Sequence, residues 1–212
     1  MGISINTSSM IGGSINKNSA QYKAAAKDFL ADHRKEVACM TPEERLVYET
    51  FGGEDAYMRN VMRMYDSEGY FINSRGVAGM LVNGIPESER HQIISISDEA
   101  KESMYKETMR HFIQENGIAN GDTTKRSDVY TEFQLSIPKD DRLKGTWTLQ
   151  QYETAYRQAF YDAVKSADPN WKEGMAFDTR ILKNLSREDI DDSLVKSGNR
   201  LLLPRKSIDY TV

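Results

Sequence analysis

The chain has 212 residues, with Lys+Arg 28 against Asp+Glu 32 and a formal net charge of -4. Its charges are spread along the whole sequence, so no basic footprint for nucleic acid stands out. A mean hydropathy of -0.64, with no apolar run of spanning length, excludes a transmembrane helix and argues against membrane insertion.

Residues 1–18 are small and polar, rich in Ser, Asn and Gly, and contain no acid. Such residues favour turns and local backbone bonding over helix, so this stretch reads as a flexible arm. It lacks the basic and continuous apolar regions of a secretory signal peptide. Asn6 stands where a myristoylation motif wants Ser or Thr. The single Cys39 forms no internal disulfide and reads as a small buried or boundary thiol.

Ser19 caps the first expected helix, which runs to about Lys35 with Tyr22, Ala25, Ala26, Phe29, Leu30 and His33 near helical spacing. Thr41-Pro42-Glu43-Glu44 then combines an N-cap threonine, a first-turn proline and a glutamate at N3, which opens a helix to Thr50. Gly52-Gly53 ends it. A helix over 54–65 carries Met58, Val61, Met62 and Tyr65 on one stripe, best read as core filling. Residues 69–84 are turn-rich, with one short helix expected at 77–82. Gln92 to Ser97 suits a short strand or an extended lead-in.

Ser97-Asp98-Glu99 opens a long helix to Asn116, with Gly117 as its C-cap and Tyr105, Met109, Phe112 and Ile113 as its buried face. Residues 120–128 and 138–145 read as polar surface loops. Thr148 caps a second long helix over 149–167, whose Tyr152, Tyr156, Ala159, Phe160 and Ala163 form a packed face. Asp168-Pro169 stops it. A last short helix starts at Ser186 and ends near Gly198, before Leu201 leads into an extended tail. The pattern predicts a mainly α chain, a single compact multi-helix domain over 19–200 with one or two short strands, an irregular arm at 1–18 and an extended tail at 201–212.

Motifs that carry chemistry are sparse. After the Met-rich helix, Asp66 and Glu68 match positions one and three of a calcium loop, where oxygen ligands alternate. Tyr70, Phe71 and Val77 stand where that loop wants a ligand, the glycine and the bidentate glutamate, so the set is degenerate. His33, His91 and His111 form no metal pair, and His111 reads as a hydrogen-bonded boundary histidine. No phosphate loop, Rossmann glycine pattern or nucleophile elbow occurs. No cofactor is expected beyond the calcium alternative at Asp66 and Glu68.

Several stretches together resemble an uncharacterised family of Firmicutes proteins, a domain of unknown function. They are Asn18 to Lys23, the Tyr65-Asp66-Ser67-Glu68-Gly69 turn, His111 to Gly117 with Asn120 to Asp128, and Asp141 to Thr148. That resemblance implies a bacterial setting and no catalytic residues. Separately, Met1-Gly2-Ile3-Ser4-Ile5-Asn6-Thr7 is similar to the start of bacterial flagellins, which implies an export signal of the flagellar type as an alternative role for the arm. The leading expectation is a non-enzymatic, cytoplasmic interaction or assembly protein that meets a protein partner or a second copy of itself. The alternatives are an exported protein without a Sec signal peptide, and a small enzyme whose site would lie near loop 120–128 and Trp147.

Overall fold

The computed structural model describes residues 15–204. The arm as far as residue 14, and the tail from residue 205, lie outside the described residues. The chain is mainly α, as its pattern indicates, and its backbone contacts gather into two compact units, Met1–Leu81 and Val82–Val212, each with its own core.

In the first unit, Ser19 caps α1 (Ala20–Ala25) by accepting from the Tyr22 amide. The helix passes without a break through a π-helical turn, Ala26–Leu30, into α2 (Ala31–Ala38). A π-turn changes the phase of the residues after it. α1 and the π-turn contribute to one core, in which Tyr22 and Ala25 meet Met58 and Tyr65, with Phe29, Leu30, Tyr57, Val61 and Met62 packed around them. The methionine stripe is core filling. The π-turn also carries Asp28, which accepts the Tyr65 hydroxyl at 2.6 Å. Burial and that carboxylate together push the Tyr65 phenol well above its ordinary range. Gln21 donates its amide to the carbonyls of Met62 (2.8 Å) and Tyr65 (2.7 Å), at and just beyond the end of α4 (Gly53–Met62).

Beyond α4 the chain makes two successive copies of one turn in place of the expected helix at 77–82. Asp66 Oδ1 accepts from the amides of Glu68 (3.0 Å) and Tyr70 (2.9 Å), and seven residues later Asn73 Oδ1 accepts from those of Arg75 (3.0 Å) and Val77 (3.0 Å). Gly69 (φ 90) and Gly76 (φ 77) supply the left-handed residue each turn needs. The bridges Tyr65↔Phe71 and Ile72↔Ala78 close the two copies.

The second unit starts with the single-turn α5 (Glu87–Arg90), then α6 (Asp98–Gln114), capped by Ser97. Residues 92–96 are extended but pair with no strand. Their backbone is held by Thr148, whose hydroxyl accepts from the Ile94 amide at 3.1 Å and donates to the Lys144 carbonyl at 2.9 Å, with the Gln92 carbonyl a longer alternative at 3.3 Å. Thr148 is thus no cap; it is buried inside α8 (Arg142–Ala167), which begins seven residues before the expected start. A further helix, α7 (Thr124–Ser136), occupies a segment read in part as loop.

The core of this unit joins Met104, Tyr105 and Phe112 of α6, Phe133 of α7, and Leu149, Tyr156, Phe160 and Val164 of α8 to Trp171. The aromatic stripe of α8 is a packed face. α6 ends at Gln114, two residues short of the expected Asn116, with Glu115 and not Gly117 as its C-cap. Asn116 (φ 49) and Gly117 (φ 85) are both left-handed, and a Cβ at Gly117 would lie 2.7 Å from the Trp171 ring. Polar groups tie the later elements to α8. The Tyr156 hydroxyl donates to Asp191 at 2.7 Å, and Arg187 donates to the other oxygen of Asp191 at 2.6 Å, fixing α10 (Arg187–Ser193). The single-turn α9 (Arg180–Lys183) buries Leu182, and just beyond it the Leu185 carbonyl accepts the Tyr105 hydroxyl at 2.8 Å. Burial pushes the Tyr105 phenol up to about 12 and raises the Asp191 carboxyl. The last helix ends at Ser193, short of the expected Gly198, because Val195–Ser197 (β1) pairs antiparallel with Arg200–Leu202 (β2), and Gly198 lies in the turn between them. Leu201 therefore belongs to a hairpin and not to the start of a tail.

Candidate functional site

The residues singled out for chemistry occupy separate places. Asp66 spends Oδ1 on two backbone amides, the same job that a neutral amide oxygen performs at Asn73. Glu68 holds the position that Arg75 holds in the second copy of the turn. Among the described residues, no cluster of three or more His, Cys, Asp or Glu side chains is placed to hold a metal ion. His111 is buried with its Nε2 unbonded, unlike the hydrogen-bonded boundary residue its stripe suggested. Cys39 is exposed, not buried.

The segment 120–128 and Trp147 engage different neighbours. The Trp147 ring stacks on His91 at 3.9 Å between centroids, and its Nε1 donates to the Asn199 carbonyl at 2.7 Å. Asp122 caps the start of α7 by accepting from the Thr124 amide, and Arg126 pairs with Glu153, which also accepts the Tyr130 hydroxyl at 2.7 Å. Burial, first of all, and the Glu153 carboxylate raise the Tyr130 phenol. These groups hold α7 to α8.

The first unit offers a different kind of site on α3 (Pro42–Thr50). The helix starts as its sequence dictates. Thr41 Oγ1 accepts from the Glu44 amide at 3.3 Å while Glu44 reaches back to the Thr41 amide at 2.8 Å, and this bond holds the Glu44 carboxyl below its usual range. Helical geometry then puts Leu46, Val47, Thr50 and Phe51 on one side and Arg45, Tyr48 and Glu49 on the other. The polar side is the anchored one. Tyr48 bonds His33 Nε2 at 2.9 Å, His33 stacks on Tyr57 at 3.5 Å, and Arg45 donates to the Val37 carbonyl at 2.9 Å. Beside them, Arg34 grips Glu54 with two bonds of 2.7 and 2.9 Å, which lowers the Glu54 carboxyl.

The apolar side is left to solvent. No residue of α3 is buried, and Leu46, Val47 and Phe51 are 70%, 55% and 78% exposed. Single exposed apolar residues are ordinary, but these three lie together on one side of the helix. The spacing of those residues was visible in the sequence; which side of the helix would be covered was not.

The family model described as "Domain of unknown function (DUF3879)" matches residues 15–212. The chain belongs to this family. No curated protein and no solved structure matches the chain. The match covers the described residues of both units, so α3, the tandem turn and the α6–α8 core all lie within the DUF3879 domain. Among the described residues, no helix is long and apolar enough to cross a membrane.

Proposed function

We propose that this member of the DUF3879 family is a non-enzymatic assembly protein whose copies associate through the outward stripe of α3. The observation that carries the reading is the orientation of that helix: it is fixed by Tyr48 and Arg45, while Leu46, Val47 and Phe51 face water. A second copy suits the stripe because Glu43 and Glu44 sit at its N-terminal end, while Glu49 lies on the opposite, anchored side of the helix. In an antiparallel two-fold pair they lie against the Thr50–Phe51 end of the other copy, away from its own Glu43 and Glu44, and the helix dipoles oppose favourably. One short stripe buries well under the roughly 1,200 Å² of a stable interface, so the association is weak.

Sedimentation equilibrium from micromolar to millimolar chain tests this. The weight-average mass of the wild type is expected to rise with concentration toward twice the monomer, while Leu46→Glu/Phe51→Glu stays monomeric with unchanged helical circular dichroism. A wild type that remains monomeric throughout, or a double variant that associates equally well, contradicts the reading.

A further inference from the structure

We propose that a groove in the second unit binds a small multivalent oxyanion of the phosphate kind. The groove has a volume of about 610 Å³ and lies along α8, with Arg157, Lys165 and Lys172 in its lining beside the Tyr161 ring and one acid, Glu173. Three cations against one acid is a local excess in a chain whose net charge is -4.

The bonding of these cations leaves their charge in place, as it does at Arg45, which donates to the Val37 carbonyl. Arg34, Arg110, Arg126, Arg180 and Arg187 each hold a carboxylate. Among the described residues, Arg157, Lys165 and Lys172 hold none. Arg157 lies over the Phe112 ring and donates to the Gly117 carbonyl, which spends one of its five N–H donors. Lys165 donates to the Pro169 carbonyl at 3.0 Å, which spends one of its three. Those two carbonyls orient the cations without neutralising them. A guanidinium held through its Nη2 and two ammonium groups around one open volume match an anion with charge on several oxygens, since each added oxygen meets a further donor. A monovalent anion brings less charge to the three cations and is attracted more weakly.

Pyrophosphate titrated into the full-length chain at low ionic strength, followed by amide chemical shifts, tests the proposal. Saturable shifts centred on residues 154–173 are expected, with acetate at matched ionic strength producing none. Lys165→Gln/Lys172→Gln should weaken pyrophosphate binding at least tenfold while leaving the melting temperature near that of the wild type. Glu173→Gln, which removes the acid, should tighten it, a result that loss of folding cannot imitate. No saturable shift, equal shifts with acetate, or equal binding by the lysine double variant would overturn the assignment.

Discussion

The two long helices of the second unit and the short α3 of the first are built from similar amphipathic patterns, yet they use them in opposite ways. On α8 the stripe of Tyr156, Ala159, Phe160 and Ala163 is buried against α6, and polar pairs such as Arg126 with Glu153 decorate its margins. On α3 the polar residues Tyr48 and Arg45 make the internal bonds, and the apolar residues face out. Patterning identifies a helix and its two faces. Which face the fold covers is decided by the partners that other segments bring.

The largest expected effect separates these two uses directly. Phe160→Ala empties a fully buried site and is expected to cost about 3–5 kcal/mol in denaturant unfolding. Phe51→Ala, at a similar side chain exposed in the monomer, should stay within about 0.5 kcal/mol under dilute conditions. Equal costs would mean that α3 is covered within the chain and would break the comparison.

Gly117→Ala is next. It forces a left-handed backbone on alanine and brings a Cβ against Trp171, so a loss of about 1–3 kcal/mol is expected by the same measurement. A variant as stable as the wild type would show that the end of α6 can adjust.

The tandem turn of the first unit gives a smaller, chemically specific contrast. Asp66→Asn should be close to neutral, because Asn73 already performs the same bonding with an amide oxygen, whereas Asp66→Ala should cost about 1 kcal/mol. Millimolar calcium should leave the melting temperature of both wild type and Asp66→Asn unchanged. A calcium-dependent rise that disappears in Asp66→Asn would restore a metal role for Asp66 and Glu68.

Carboxyl groups in the two units should also respond to pH with opposite sign. Glu54, bonded by Arg34, has its folded pKa lowered, so its contribution is present above the ordinary glutamate range and is lost as pH falls through the folded value. The stability advantage of wild type over Glu54→Gln should therefore shrink on acidification. Asp191 is raised because burial outweighs its Tyr156 bond and the charges of Arg187 and Lys101. Its contribution is fully present below the unfolded pKa and is lost as pH rises through the folded one. Wild type should therefore gain on Asp191→Asn as the solution is acidified from neutrality. Parallel trends would show that one of the two environments is misjudged.

Local signals were the legible part of the fold. The caps at Ser19, Thr41, Ser97 and Ser186 need only near neighbours, and each stands where the sequence puts it. The α7 helix escaped notice because Arg126 and Tyr130, polar by type, are spent on Glu153 of another helix, which blurs the two-faced pattern. Thr148 looked like a cap but serves the backbone of residues 92–94, a partner more than fifty residues away. Reading Asp66 onward against a twelve-residue calcium loop concealed the true seven-residue period, carried by Asp66 with Gly69 and by Asn73 with Gly76. No Pro/Gly/Ser-rich linker marks the passage from Leu81 to Val82.

The outward stripe of α3 is tested most directly by amide spectra of the full-length wild type recorded from low micromolar to near-millimolar concentration. Concentration-dependent shifts confined to residues 42–52, and absent in Leu46→Glu/Phe51→Glu, are the expected result. Spectra that do not change with concentration, or changes centred on the second unit such as its hairpin at 195–202, would contradict the assignment of α3 as the surface through which this chain assembles.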